Sequence, residues 1–247
     1  MRGFNLRIPM LMGLSVATAS GCASQPPPIP ASSMVIESVE PDSPATSTGH
    51  VRLEGGVGVQ VGGGMVTIPS WVELDEGWLE VAACRQGTRE HETVVATTCL
   101  PSVVHAAMLL AGFEPGSPAW YRSDGSSGPA TGDPVQVEIL VEDASGVTRG
   151  LALADAIDDE RGDPDLKWVF AGSSFRPNPP GMGPGEYYTA DYAGTIVGLT
   201  TFGDEVVAAV EIRSPEIGID APVWKIRPGV LPPPGTRVTL VLRRPES

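Results

Sequence analysis

From residue 64 onward the apolar and β-branched residues come in short runs cut apart by Gly, Pro and Asp, the punctuation of strands and turns. Ten runs stand out, at 64–68, 78–84, 92–97, 135–141, 147–153, 167–171, 195–201, 205–212, 223–226 and 237–242. One stretch breaks this pattern. Across 102–111, Val103, Val104, Ala107, Met108 and Ala111 recur at helical spacing, Ser102 offers an N-cap oxygen and Gly112 a C′ stop. The helix is apolar nearly all round, which predicts that it is mostly buried against the sheet. The pattern therefore predicts an α+β fold: a strand-rich mixed sheet with one main buried helix at about 102–111, in a single domain over 48–247.

Upstream the pattern changes. An apolar run at 8–19 contains Pro9, follows Arg2 and Arg7, and leads into Ala19-Ser20-Gly21-Cys22. It is too short for the roughly 20 residues that a membrane-spanning helix requires, and it reads as the h-region of a signal. Residues 1–21 resemble a bacterial lipoprotein signal peptide, with Ala19 where Leu is usual. The resemblance implies lipidation of Cys22, with palmitate among the attached chains, and a location in the cell envelope, anchored and extracytoplasmic. Ala23, a residue other than Asp after the cysteine, implies the outer membrane. Residues 22–47 shift to Pro, Ser, Ala and Thr and begin with the prolines of 26–30. Such a composition buries too little apolar surface to offset its ordering entropy, and predicts a disordered tether.

The charge narrows the partners. The chain carries a formal −14, and removal of residues 1–21 takes away two arginines and no acid, leaving −16. Basic residues are scattered, Arg243-Arg244 being their one tight pair, so nucleic acid is not an expected partner. Gly and Pro, at 30 and 25 of 247 residues, stay below the level of general disorder, so a packed core remains accessible.

The motif order is REHETVVAT (89–97), LPSVVHAAMLLAGFEPG (100–116), DPVQVEILVED (133–143), WVFAGSSF (168–175) and ADYAGTIVGLTTFGDEVV (190–207). In this order the chain resembles the YdjY-type domain, a bacterial family without an established activity. The resemblance covers roughly residues 71–212. Its closest matches are His91-Glu92 followed by Thr93 where Ser is common, His105, Gly172-Ser173, Asp191 and Phe202-Gly203. It implies a mixed α/β domain and no reaction. Cys84 and Cys99 stand outside its pattern.

The residues themselves allow some chemistry. If 78–97 is a hairpin turning at Gly87-Thr88, Cys84 faces His91 across the strands, a thiol beside an imidazole. Glu92 then points to the other face. The set Cys84, His91, Cys99 and His105 has the composition of a zinc site. A continuous strand, however, carries Cys99 about 26 Å beyond His91 at ~3.3 Å per residue, too far for one ion. The same spacing disfavours a Cys84–Cys99 disulfide, which an oxidising compartment would favour, so that pairing stays open. His105 sits early in the predicted helix, where the dipole favours a neutral ring able to serve as a ligand or an electrophile; a packing role is the commoner one. Six carboxylates between Asp155 and Asp165 lack the spacing of a calcium loop and read as a solvated acidic segment. Gly172-Ser173-Ser174 lacks the second Gly of a nucleophile elbow. The loop 176–189, the longest without predicted structure, carries Tyr187 and Tyr188 and is a candidate binding loop, with Asp191 just beyond it.

The expectation is a lipid-anchored, non-catalytic module that binds a protein or small molecule, using the face of His91 and Glu92 or the loop 176–189, with no cofactor. The alternative is a thiol- or metal-dependent enzyme centred on His91 with Cys84 or His105.

Overall fold

The computed structural model describes residues 49–246 apart from 123–125, 143–144, 163–165, 182, 217–218 and 220–222. The expected signal peptide and tether, with Cys22, lie outside the described residues. Each of the ten apolar runs overlaps a strand.

Eight strands build the centre. They are β1 (Met65–Val72), β2 (Val81–Arg85), β3 (Thr93–Thr97) and β4 (Pro134–Glu142). The remaining four are β5 (Trp168–Phe170), β6 (Thr195–Gly198), β7 (Val207–Ala209) and β8 (Arg237–Arg243). Their order is β1-β8-β4-β5-β7-β6-β2-β3, and β3 then pairs back onto β1 through Trp71 opposite Ala96 and Val72 opposite Val95. The sheet is a closed, mixed β-barrel, not the α+β arrangement expected from the sequence; among the described residues 42% are strand, 14% are helical and there are two α-helices. Alternation of apolar and polar positions identifies a strand and is identical in an open sheet and a barrel, so closure is invisible to it.

Inside the barrel, Val66, Ile68, Val137, Ile139, Phe170, Ile196, Leu240 and Leu242 form the core, all essentially sealed from solvent. On β1 and β4 burial alternates strictly along most of the strand. In contrast β3, β6 and β7 are buried at every position, and β2 at all but Arg85. The cause is topological. β2 and β3 run parallel, as do β6 and β7, so each pair needs a crossover connection lying over the barrel wall. The crossovers are residues 86–92 and 199–206.

Helix α1 spans Pro101–Leu110. Leu100, not Ser102, is its N-cap, because Pro101 takes the first helical position, where its fixed φ suits a helix and its missing N–H costs nothing. Gly112, at φ +92°, ends it as expected: the Gly112 and Phe113 amides donate to the Leu109 and Met108 carbonyls, 2.9 and 3.0 Å. One face of α1 is buried, through Pro101, Val104, Ala107 and Met108, while Leu109 and Leu110 stay exposed. A second, short helix α2 spans Thr189–Ala193. No helix among the described residues is long and apolar enough to cross a membrane.

Candidate functional site

The 86–92 crossover replaces the hairpin expected from the sequence. Gly87, at φ +84°, does reverse the chain, with its N–H donating to the Glu90 carboxylate and the Thr88 hydroxyl donating to the Arg85 carbonyl. A 3-10 turn over Glu90–Glu92 then reverses it again, so β3 leaves parallel to β2. Cys84 consequently faces Ala96, not His91. It is sealed beneath Phe202 and Trp71, and burial pushes its thiol pKa up despite hydrogen bonds from Thr88, Thr93 and the Arg89 amide. His91 lies on the 3-10 turn, its side chain 74% exposed, with the Glu92 carboxylate 3.7 Å away. The acidic Glu92 belongs with Glu80 instead: burial and a shared hydrogen bond with Glu92 raise the Glu80 pKa to about 7.

The two crossovers meet at Arg89. Its guanidinium donates to the Asp204 carboxylate at 3.0 Å and lies 3.8 Å over the Phe202 ring. Next to this pair, the Glu205 carboxylate is fully buried and accepts the Phe202 and Gly203 amides at 2.6 and 3.1 Å. Burial, with the nearby Asp204 charge adding to it, raises the Glu205 pKa to about 7.

The network continues through Ser173, the one non-glycine residue in the left-handed region among those described, at φ +57°. Its hydroxyl donates to the Asp204 carbonyl at 2.8 Å and lies 3.1 Å from that of Thr189. The Thr189 hydroxyl is also 2.8 Å from that of Ser174. The preceding Gly172 puts its carbonyl 3.0 Å from the Tyr188 hydroxyl, which donates to it. Since that hydroxyl has one hydrogen, His105 Nδ1, 2.8 Å away, is the donor to the phenolic oxygen. Half-buried on α1 and edge-on to the Phe170 and Tyr188 rings, His105 has its pKa lowered by desolvation. It is a neutral ring that fixes Tyr188.

Tyr188 ends the short hairpin Phe175–Pro177 with Glu186–Tyr188, which occupies the loop expected to be without structure. Beyond it, Asp191 on α2 accepts the Ser102 amide at 2.8 Å and so caps α1 from outside. Tyr187, Tyr188, Asp191 and Tyr192, with Pro179, line an open groove of about 390 Å³. Two rings are turned outward here, Tyr192 at 74% exposed and the adjoining Phe175 at 66%, while Tyr187 and Tyr188 are half-buried. The three ligand-binding candidates thus share one groove, while the catalytic candidates do not converge.

Residues 63–243 match the model of the YdjY domain. The chain belongs to that family. No curated protein and no solved structure matches it. Segments of the YdjY domain far apart in sequence meet in the network just described: Arg89 at the first crossover, His105 on α1, Gly172-Ser173 after β5, Asp191 on α2 and Phe202 to Glu205 at the second crossover.

Elsewhere the candidates separate. Cys84 and Cys99 are both free and buried, Cys99 donating to the Gly55 carbonyl at 3.4 Å. No three His, Cys, Asp or Glu side chains gather as a metal ligand set among the described residues. The acidic segment is not simply solvated: Asp158, Asp159 and Glu160 pair with Arg227, Arg213 and Lys225, while Asp163 and Asp165 lie outside the described residues. Arg89, Asp204 and Glu205 escape the sequence reading. They lie inside the motifs of 89–97 and 190–207, but nothing in those motifs marks them as site residues.

Proposed function

We propose that this chain is a lipid-anchored protein of the bacterial cell envelope that binds a partner protein or small ligand, without catalysing a reaction, in the groove of Tyr187, Tyr188, Asp191 and Tyr192. One observation supports the reading above others: three tyrosines and a carboxylate share an open groove, in which Tyr188 is held by hydrogen bonds from His105 and to the Gly172 carbonyl, and Asp191 by one from the Ser102 amide. Preorganised aromatic surface binds without a large ordering cost. The anchor rests on Cys22 and the residues before it.

The alternative enzyme finds less support. A nucleophilic thiol needs an accessible, acidified site, and Cys84 is sealed with its pKa raised. His91 lies on its own exposed turn beside Glu92, away from Cys84.

Photo-crosslinking in living cells tests the reading. A benzophenone amino acid at Tyr192 is expected to trap a discrete adduct, and the same group at His91 none. Adducts at His91 alone, or at neither position, would overturn the proposal. Cys22→Ser is expected to release the chain from the membrane fraction, since the thiol is the acylated group.

A further inference from the structure

We propose that the tyrosine groove takes an extended, proline-rich segment of another protein, one that carries a basic residue. The proposal rests on the binding reading above and names the class of occupant.

Ring geometry comes first. Tyr187 and Tyr192 meet at 5.7 Å between centroids with 65° between their planes, and Phe175 and Tyr188 at 5.2 Å with 47°. Pairs inclined in this way make wedge-shaped slots, not the level platform on which a sugar ring lies flat. A polyproline II strand turns every three residues with ~3.1 Å rise per residue, offering compact pyrrolidine rings to successive slots. Its backbone is already extended, so little further entropy is lost when it docks on aromatic walls. The groove's volume, about 390 Å³, lies within the ordinary range for ligand sites and accommodates a short stretch of such a strand.

Rigidity is the second argument. Tyr188 cannot swing, because its hydroxyl is held between His105 and the Gly172 carbonyl. The base of the hairpin is tied by the Thr189 amide to the Ser174 carbonyl at 2.9 Å. The slot at Tyr188 is therefore present before the peptide arrives.

Charge selects the flanking residue. Among the described residues Asp191 is the one charged residue lining the groove, while on the adjoining hairpin the exposed Glu186 and Arg176 offset each other. One Asp191 oxygen accepts the Ser102 amide, and a carboxylate has further lone pairs for a guanidinium or ammonium. With −14 on the whole chain, phosphorylated and acidic segments are repelled and a basic one is attracted.

Fluorescence anisotropy with the full-length chain in detergent tests this. The probe is a fluorescein-labelled nonaproline ending in arginine, with a version ending in glutamate as its counterpart and N-acetylchitotetraose as competitor. The arginine peptide is expected to bind at least about tenfold more tightly than the glutamate peptide, and Tyr192→Ala to weaken it by at least about tenfold. Asp191→Asn keeps an oxygen for Ser102 and is expected to erase the arginine preference while leaving the thermal midpoint unchanged. Equal affinity for the two peptides, or none for either at millimolar concentration, would overturn the proposal. Chitotetraose binding that depends on Tyr192 would overturn the peptide class and leave the groove as a binding site. A bound probe indifferent to Tyr192→Ala would overturn both.

Discussion

Arg89 and Asp204 stand 115 residues apart and close the two crossovers over the barrel wall with a largely buried ion pair. Removing one partner strands the other charge, so Arg89→Met is expected to cost about 3 kcal/mol in urea unfolding. Arg89→Met with Asp204→Leu should recover part of that loss. Glu205 gives a pH dependence whose direction follows from its environment. Its pKa rises from 4.5 unfolded to about 7 folded, so the fold favours its neutral form. That stabilisation is complete below about pH 4.5 and is lost as pH rises through about 7. Glu80 contributes with the same sign. Glu205→Gln keeps the oxygen that accepts the Phe202 and Gly203 amides, and is expected to raise stability at pH 8 and to flatten the profile between pH 5 and 8; an unchanged profile would refute the assignment. None of these four residues stands out in the sequence, because contacts between distant loops leave no periodic trace. Tyr187, Tyr188 and Asp191 did stand out, through aromatic and acidic residues at the end of a long Gly/Pro-rich loop.

At the scale of elements, the strands and α1 were legible because their apolar spacing is local. The connection between β2 and β3 was not. Gly87-Thr88 marks one reversal correctly, but the charged run from Arg89 to Glu92 reads as the start of a strand and folds as a second turn. That single extra reversal changes an antiparallel hairpin into a parallel crossover, and it moves His91 from Cys84 out to solvent. The cap of α1 was misread for a similar reason. Ser102 has the right side chain, yet the carboxylate that serves the helix end comes from α2. Asp191→Ala is therefore expected to lose about 1 kcal/mol in thermal or urea unfolding, and Asp191→Asn to lose little. Equal losses in the two variants would show that Asp191 does not act as a cap.

The whole molecule is decided by a small seam, Trp71 with Ala96 and Val72 with Val95, which turns a sheet into a barrel. Neither strand pattern carries that information, and the family motifs meet only once the barrel has brought them together. They converge on a buried polar network whose open edge is the tyrosine groove, which leads to the central claim that the groove is where a partner binds. Hydroxyl-radical footprinting tests this most directly, comparing the protein in intact cells with the purified chain. Occupancy of the groove predicts that oxidation of Tyr187, Tyr192 and Phe175 falls at least several-fold in the cells, while His91 and the exposed Trp78 are oxidised equally in both. Equal oxidation of Tyr192 in the two samples, or protection centred on His91, would contradict it.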